Sequence, residues 1–346
     1  MSAPYRERGA ARFLHRERGA ARFPCRERGA ALLAVLMLVG VMAAIAATML
    51  ERSRTSTRLV SNLLAREQTT ALLLVAETLS LARLDRLAQD SGRSTAWQGQ
   101  PLLLPLPGGS ASIIPRDGGN CFNLNSLVTM AGPDALVSRP LALAQFSALM
   151  QLLDVPEPKA RQIAAASADW IDSDQQPQAL GAEDNAYAAR GHLTGGTLMA
   201  EASELRAVLG MEPALYQRLR PFVCALPVAT LSPLNLNGLR PAEAPLLAML
   251  LPPTLGPPSL RLRLAQRLIA ERPRGGWASV AEFGNAPLLR DTPLAADALQ
   301  QLAVRTTWFH LALDVQSGDT SLPARLLVDA TQGRARVALR QWTGED

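Results

Sequence analysis

The 346-residue chain has three histidines, three cysteines, a single lysine (Lys159) and only 4 % aromatic residues. Each scarcity removes a class of chemistry. His192 and His310 are the only histidines beyond residue 29, and they are far apart in sequence, so no zinc-type His spacing exists. No Gly-x-Ser-x-Gly, phosphate-cradling glycine loop or Cys/His pair occurs, which leaves nucleophilic hydrolysis and nucleotide chemistry without their usual groups. His310 falls in a strand-like pattern and His192 beside Gly191, so both read as structural residues. The chain therefore reads as noncatalytic, with no small-molecule substrate. The lysine shortage beside abundant Arg, Ala and Leu is a compositional bias that carries no function.

Charge is also missing, from one long stretch. Residues 30–50 contain no Asp, Glu, Lys or Arg. As a helix this run spans about 32 Å at 1.5 Å per residue, enough for a hydrocarbon core of roughly 30 Å. The run directly follows Cys25-Arg26-Glu27-Arg28-Gly29, a basic segment ending in glycine. A secretory signal peptide places its scissile bond after the apolar core. Ala44-Ile45-Ala46 offers such a small-x-small site, but the apolar run continues past it. The Gly29–Ala30 bond lies before the core, so cutting there leaves the helix attached as an anchor. That arrangement resembles the leader junction of type IV pilins and type II secretion pseudopilins, which a prepilin peptidase cuts after Gly.

Residues 1–29 hold eight Arg and three Glu, so they carry the whole formal excess of +5, and the remainder is neutral. The positive-inside rule places that end in the cytoplasm and the body outside a membrane crossed once. A neutral body also weakens the nucleic-acid reading that a pI near 9.7 suggests. The segment Arg6-Glu7-Arg8-Gly9-Ala10-Ala11-Arg12-Phe13 recurs from Arg16 and begins again at Arg26, and only the third copy runs into an apolar helix. The extra copies read as a local duplication or a start placed too early. With Cys25 in this leader, Cys121 and Cys224 remain as an even pair in an oxidising compartment. A disulfide and two small buried thiols are both open readings.

The chain divides into a leader (1–29), a transmembrane helix (30–50), a spine helix with the first strands (51–119), a helical insert (120–300) and C-terminal strands (301–346). Helical periodicity without Pro or Gly runs from 51 to 90. A hairpin is predicted over 100–106 and 110–115, its prolines suggesting edge strands. Three further strands are predicted over 307–315, 324–329 and 335–342. The fold class is α+β, a long N-terminal helix under a pilin-like antiparallel head that carries a large all-α insert.

The insert echoes itself. Cys121-Phe122-Asn123-Leu124-Asn125-Ser126-Leu127 is matched by Pro233-Leu234-Asn235-Leu236-Asn237-Gly238-Leu239. Helices are predicted at 140–153 and 159–170 after the first, and at 242–251 and 259–270 after the second. The asparagines suit helix-entry caps. The second copy resembles a helix-hairpin-helix (SAM-like) DNA module, but its connection is Pro-rich and lacks the free amides that hold phosphate. The copies read as a scaffold. One acidic loop stands out, Asp169-Trp170-Ile171-Asp172-Ser173-Asp174 followed by Gly181-Ala182-Glu183-Asp184. Its oxygens suit a hard cation such as Ca²⁺, although the spacing is not that of an EF-hand, and a solvated acidic loop is the alternative.

The junction Arg28-Gly29-Ala30-Ala31-Leu32-Leu33, the Asn-x-Asn pair, the acidic loop and Glu204-Leu205-Arg206-Ala207-Val208-Leu209-Gly210-Met211 together resemble the K-type minor pseudopilin of type II secretion. The resemblance implies cleavage at Gly29–Ala30, methylation of the new N-terminus, and Ca²⁺ held by Asp172, Asp174, Glu183 and Asp184. It implies partners: I-, J- and H-type minor pseudopilins, the prepilin peptidase and the inner-membrane secretion platform. Most pseudopilins carry Glu at mature position five, where this chain has Ala34; the family is described as lacking it and sitting at the pseudopilus tip. The alternatives are a minor tip pilin of a type IV pilus and a membrane-tethered DNA-binding protein.

Overall fold

The computed structural model describes residues 27–90, 92, 95–132, 135–290 and 292–342. The leader up to Arg26, with Cys25 and its repeats, lies outside them. The chain divides into two compact units, Met1–Leu64 and Ala65–Asp346.

Helix α1 (Glu27–Asp90) runs unbroken for 64 residues. The large side chains of its apolar first half are exposed, Leu32, Leu36 and Met42 each by more than 60 %. Among the described residues it is the one helix long and apolar enough to cross a membrane. Farther along, the hydroxyls of Thr55, Thr57, Thr70 and Thr78 donate to carbonyls four residues back, so their polar groups compete little with the helix ladder.

Within the second unit, α1 buries Leu72, Leu73, Ala76 and Leu84 against one face of a five-stranded antiparallel sheet. In chain order the strands are β1 (Leu102–Leu106), β2 (Gly109–Asp117), β3 (Trp308–Ser317), β4 (Thr320–Asp329) and β5 (Arg336–Trp342), and they neighbour one another in that same order. Period-two alternation puts Ala111 and Ile113, Phe309, Leu311, Leu313 and Val315, and Ala324, Leu326 and Val328 on the α1 face. Each large side chain so buried is worth about 1.5–3 kcal/mol. Arg340 grips Glu77 through two parallel bonds, Nε–Oε2 2.9 Å and Nη2–Oε1 2.7 Å, tying β5 to α1.

The prolines correct one expectation. Pro105 is on the edge strand β1, but β2 and β4 are interior and still hold Pro115 and Pro323. Pairing of β1 with β2 ends at Leu102↔Ile113, and pairing of β5 with β4 starts at Ala324↔Trp342. Both prolines thus sit just beyond the paired stretch of one neighbour, where a missing N–H removes no ladder bond. Gly109 has no such latitude, because a Cβ there would lie 2.2 Å from the Gln316 carbonyl oxygen.

Strands β2 and β3 are direct neighbours, Asp117 opposite Phe309, so everything between them is an excursion from the sheet. That excursion is built twice. Phe122–Asn123 pairs in parallel with Val223–Cys224, and Leu234–Asn235 pairs in parallel with Leu302–Ala303. The two copies share one continuous core, including Phe122 stacked on Phe146 at 4.9 Å, Ile163, Tyr187, Leu246 and Leu268. Helices α2 (Pro140–Leu152) and α3 (Glu157–Asp169) belong to the first copy, and a helix over Pro258–Ala270 to the second.

The asparagines do more than cap helices. Asn123 and Asn235 each accept one local amide, from Asn125 (3.2 Å) and Asn237 (3.0 Å). Their other bonds are long-range. Asn125 accepts from Met199 N and donates to the Met199 and Leu226 carbonyls. Asn237 does the same with Trp277 N and the Trp277, Val304 and Gly92 carbonyls. A buried amide side chain satisfies backbone groups of loops that have no ladder partner of their own.

Candidate metal centre

Helix α3 ends in the acidic loop. Asp169 is fully buried and accepts from Gln178 N (3.1 Å) and Gln178 Nε2 (2.9 Å), which turns the loop back toward its start. Gly181 packs on this carboxylate so closely that a Cβ would fall 1.7 Å from Asp169 Oδ2. Ser173 exchanges backbone and hydroxyl bonds with Leu136, and Gly195 and Gly196 donate to the Trp170 carbonyl. The chain then enters the short helix α4 (Asp184–Tyr187).

The fold brings three of the four proposed ligands together. Asp172, Asp174 and Glu183 each offer a carboxylate oxygen, all within 4.8 Å of one another. Asp172 and Glu183 are buried and Asp174 is exposed. Asp184 stands outside the group, and its Oδ1 accepts from Thr194 N (2.9 Å) and Thr194 Oγ1 (2.7 Å). Asp169 supports the loop from behind, a role that its place in the acidic run does not reveal.

The electrostatics are unresolved by the protein itself. Asp172 Oδ1 and both oxygens of Glu183 are buried without a hydrogen-bond partner. Burial, and then the neighbouring carboxylates, push Asp172 and Glu183 up to about 7 each. Burial also raises Asp169 despite its bonds from Gln178, while the two Thr194 bonds lower Asp184. Unpartnered buried oxygens are costly. Two oxygens on one Ca²⁺ at 2.3–2.6 Å can be no more than roughly 5 Å apart, so the observed spread fits a single hard cation. Beneath the loop, Trp170, Tyr187 and His192 pack ring on ring at 5.3–5.8 Å, which gives His192 a structural place.

Cys121 and Cys224 are joined, with Cα atoms 5.8 Å apart, across the first parallel strand pair. Gly29, Ala30 and Ala34 all lie exposed on α1.

Comparison with known proteins matches two family models, both described as type II secretion system protein K, at residues 120–228 and 234–305. These are the two copies of the insert. The chain is 37 % identical over 322 residues to type II secretion system protein K of Pectobacterium carotovorum subsp. carotovorum, covering 91 % of this chain and 96 % of that one. The Klebsiella pneumoniae protein K is 38 % identical, covering 88 % and 92 %. Among solved structures, the GspK–GspI–GspJ complex of the enterotoxigenic Escherichia coli type 2 secretion system matches with a TM-score of 0.66 and 30 % identity, covering 85 % of this chain and all of the matched one. By identity, coverage and the doubled insert, the chain belongs to the type II secretion system protein K family.

Proposed function

We propose that this protein is a noncatalytic minor pseudopilin at the tip of the type II secretion pseudopilus, where it initiates assembly of the fibre that exports proteins across the outer membrane. The observation that carries this reading is the pairing of a pilin-like helix and sheet with a bulky doubled insert between adjacent strands. In a helical fibre each subunit is covered by the next, and an insert of this size obstructs that position. Ala34 supports the same place. A carboxylate in lipid is costly unless paired, and a first subunit has no amine ahead of it to pair with.

In this reading the prepilin peptidase cuts Gly29–Ala30 and the new N-terminus is methylated. Residues 30–50 span the inner membrane, with the body periplasmic. The I- and J-type pseudopilins pack on α1, since the related GspK was solved in complex with GspI and GspJ. The H-type pseudopilin and the inner-membrane platform are the further partners. The insert serves as a scaffold of helix-hairpin-helix type. Ca²⁺ is held by Asp172, Asp174 and Glu183, with Asp184 adjoining. When bound, the ion neutralises carboxylates that otherwise repel one another. These side chains hold the end of α3 to the start of α4 and thereby set the shape of the first copy.

Removing the gene tests the reading. Loss of type II export with pilus-driven motility intact supports it. Unchanged export with lost twitching or adhesion would assign the chain to a type IV pilus instead.

A further inference from the structure

The sheet face turned away from α1 carries a cluster of arginines remote in sequence from the acidic loop. Rows across the strands place Arg116 on β2 directly opposite His310 on β3, and His310 opposite Leu327 on β4. In the adjoining row Arg325 on β4 lies opposite Ala312. Arg116 and Arg325 thus flank the His310 ring on one sheet face and make a cationic patch there. These three residues, together with Arg220 from the first copy of the insert, line a cleft of about 560 Å³.

Three arginines face one carboxylate, Glu201, so the cleft keeps a net positive charge. Among the described residues, ion pairs join Lys159–Glu212, Arg161–Glu157, Arg240–Glu243, Arg267–Glu271 and Arg340–Glu77, and none involves Arg116, Arg220 or Arg325. Glu201 is the one acidic residue lining the cleft, and both of its oxygens are engaged, by Gln341 Nε2 (2.6 Å) and the Ser203 hydroxyl (3.1 Å). Burial and the Arg325 charge lower His310, so the positive charge at neutral pH resides on the arginines. Tyr216, Leu226, Leu327 and Leu339 make an apolar part of the remaining wall. A volume of this size is that of a ligand site.

We propose that this cleft binds an acidic polypeptide segment in extended form, its carboxylates on Arg116, Arg220 and Arg325 and its alternate apolar side chains against the leucine wall. Guanidinium pairs carboxylate through two parallel bonds, and an extended chain separates acidic and apolar side chains onto opposite sides. The site stands on geometry alone. The segment is assigned to a neighbouring pseudopilin, the related GspK having been solved with GspI and GspJ, and this source alone rests on the proposed function.

The test uses full-length protein in detergent and a fluorescent hexapeptide of alternating glutamate and leucine, with its glutamine–leucine counterpart as control. Saturable binding of the glutamate peptide that weakens with salt, and none of the control, is expected. Arg116→Gln, Arg220→Gln and Arg325→Gln should each weaken binding about tenfold, the loss of one charge-assisted bond. The lysine variants keep the charge but lose the paired bonds, and should fall between wild type and the glutamine variants. All three arginines are exposed, so thermal melts should show these variants folded. Equal binding of the two peptides, or no change in the glutamine variants, overturns the proposal. Displacement of bound peptide by purified I- and J-type pseudopilins is expected, and simultaneous binding would overturn the assignment to a fibre neighbour while leaving the arginine site standing.

Discussion

Replacing Asp172 by Asn and Glu183 by Gln together should remove both the cation dependence and a pH dependence of stability. In the cation-free protein each carboxylate ionises near 7 in the fold, well above its ordinary 3.8 or 4.5. A group whose folded value is raised stabilises the fold fully below its unfolded value and loses that contribution as pH rises through the folded value. The wild-type protein in chelator should therefore lose stability between about pH 4 and pH 7, and the doubly substituted protein should not. A cation binds the deprotonated form, so its effect grows over the same interval. At a hundred times its dissociation constant a bound ion adds about 2.7 kcal/mol. For a body of this size each kcal/mol moves the melting temperature by about 2–4 °C, giving a Ca²⁺ shift of roughly 5–10 °C at pH 8. The assay is a thermal melt in chelator and in excess Ca²⁺, at pH 5 and pH 8. A Ca²⁺ shift that is as large in the double variant, or larger at pH 5 than at pH 8, would refute the reasoning.

Three other substitutions probe the same scaffold. Gly181→Ala drives a methyl group into the Asp169 carboxylate; melting should fall by several degrees and Ca²⁺ should bind more weakly, as read by calorimetry. Replacing Cys121 and Cys224 by Ser opens a loop closed across 103 residues of sequence, worth up to about 4.7 kcal/mol by chain entropy, and should lower the denaturant midpoint. Asn237→Ala strips partners from Trp277 N and from the Trp277, Val304 and Gly92 carbonyls. Its loss should cost about 2–4 kcal/mol in urea unfolding, more than a surface Asn.

Features governed by local pattern were legible in the sequence. The long helix, the Pro107-Gly108 hairpin and the C-terminal meander all follow from periodicity and turn residues, and the observed strands fall within a few residues of the predicted ones. The placing of prolines was less so, since whether Pro115 loses a ladder bond depends on where β1 happens to stop. The Asn-x-Asn repeat announced the duplication but not its use. The partners of Asn125 and Asn237 lie up to 145 residues away, and no local signal names them. The acidic loop was visible as a run of carboxylates, yet its division into a buried support, Asp169, and three converging groups is set by how the loop folds back on α3. The cationic patch was invisible, because Arg116, His310 and Arg325 meet only through strand register across the whole insert.

The state of the N-terminus of α1 decides directly which class of membrane protein this chain is. Intact-mass and N-terminal analysis of membrane-extracted protein, made with and without an active prepilin peptidase, is the measurement. A methylated N-terminus at Ala30 that requires the peptidase is predicted. A start near Ala47, or an uncut leader in the presence of active peptidase, would contradict the pseudopilin assignment.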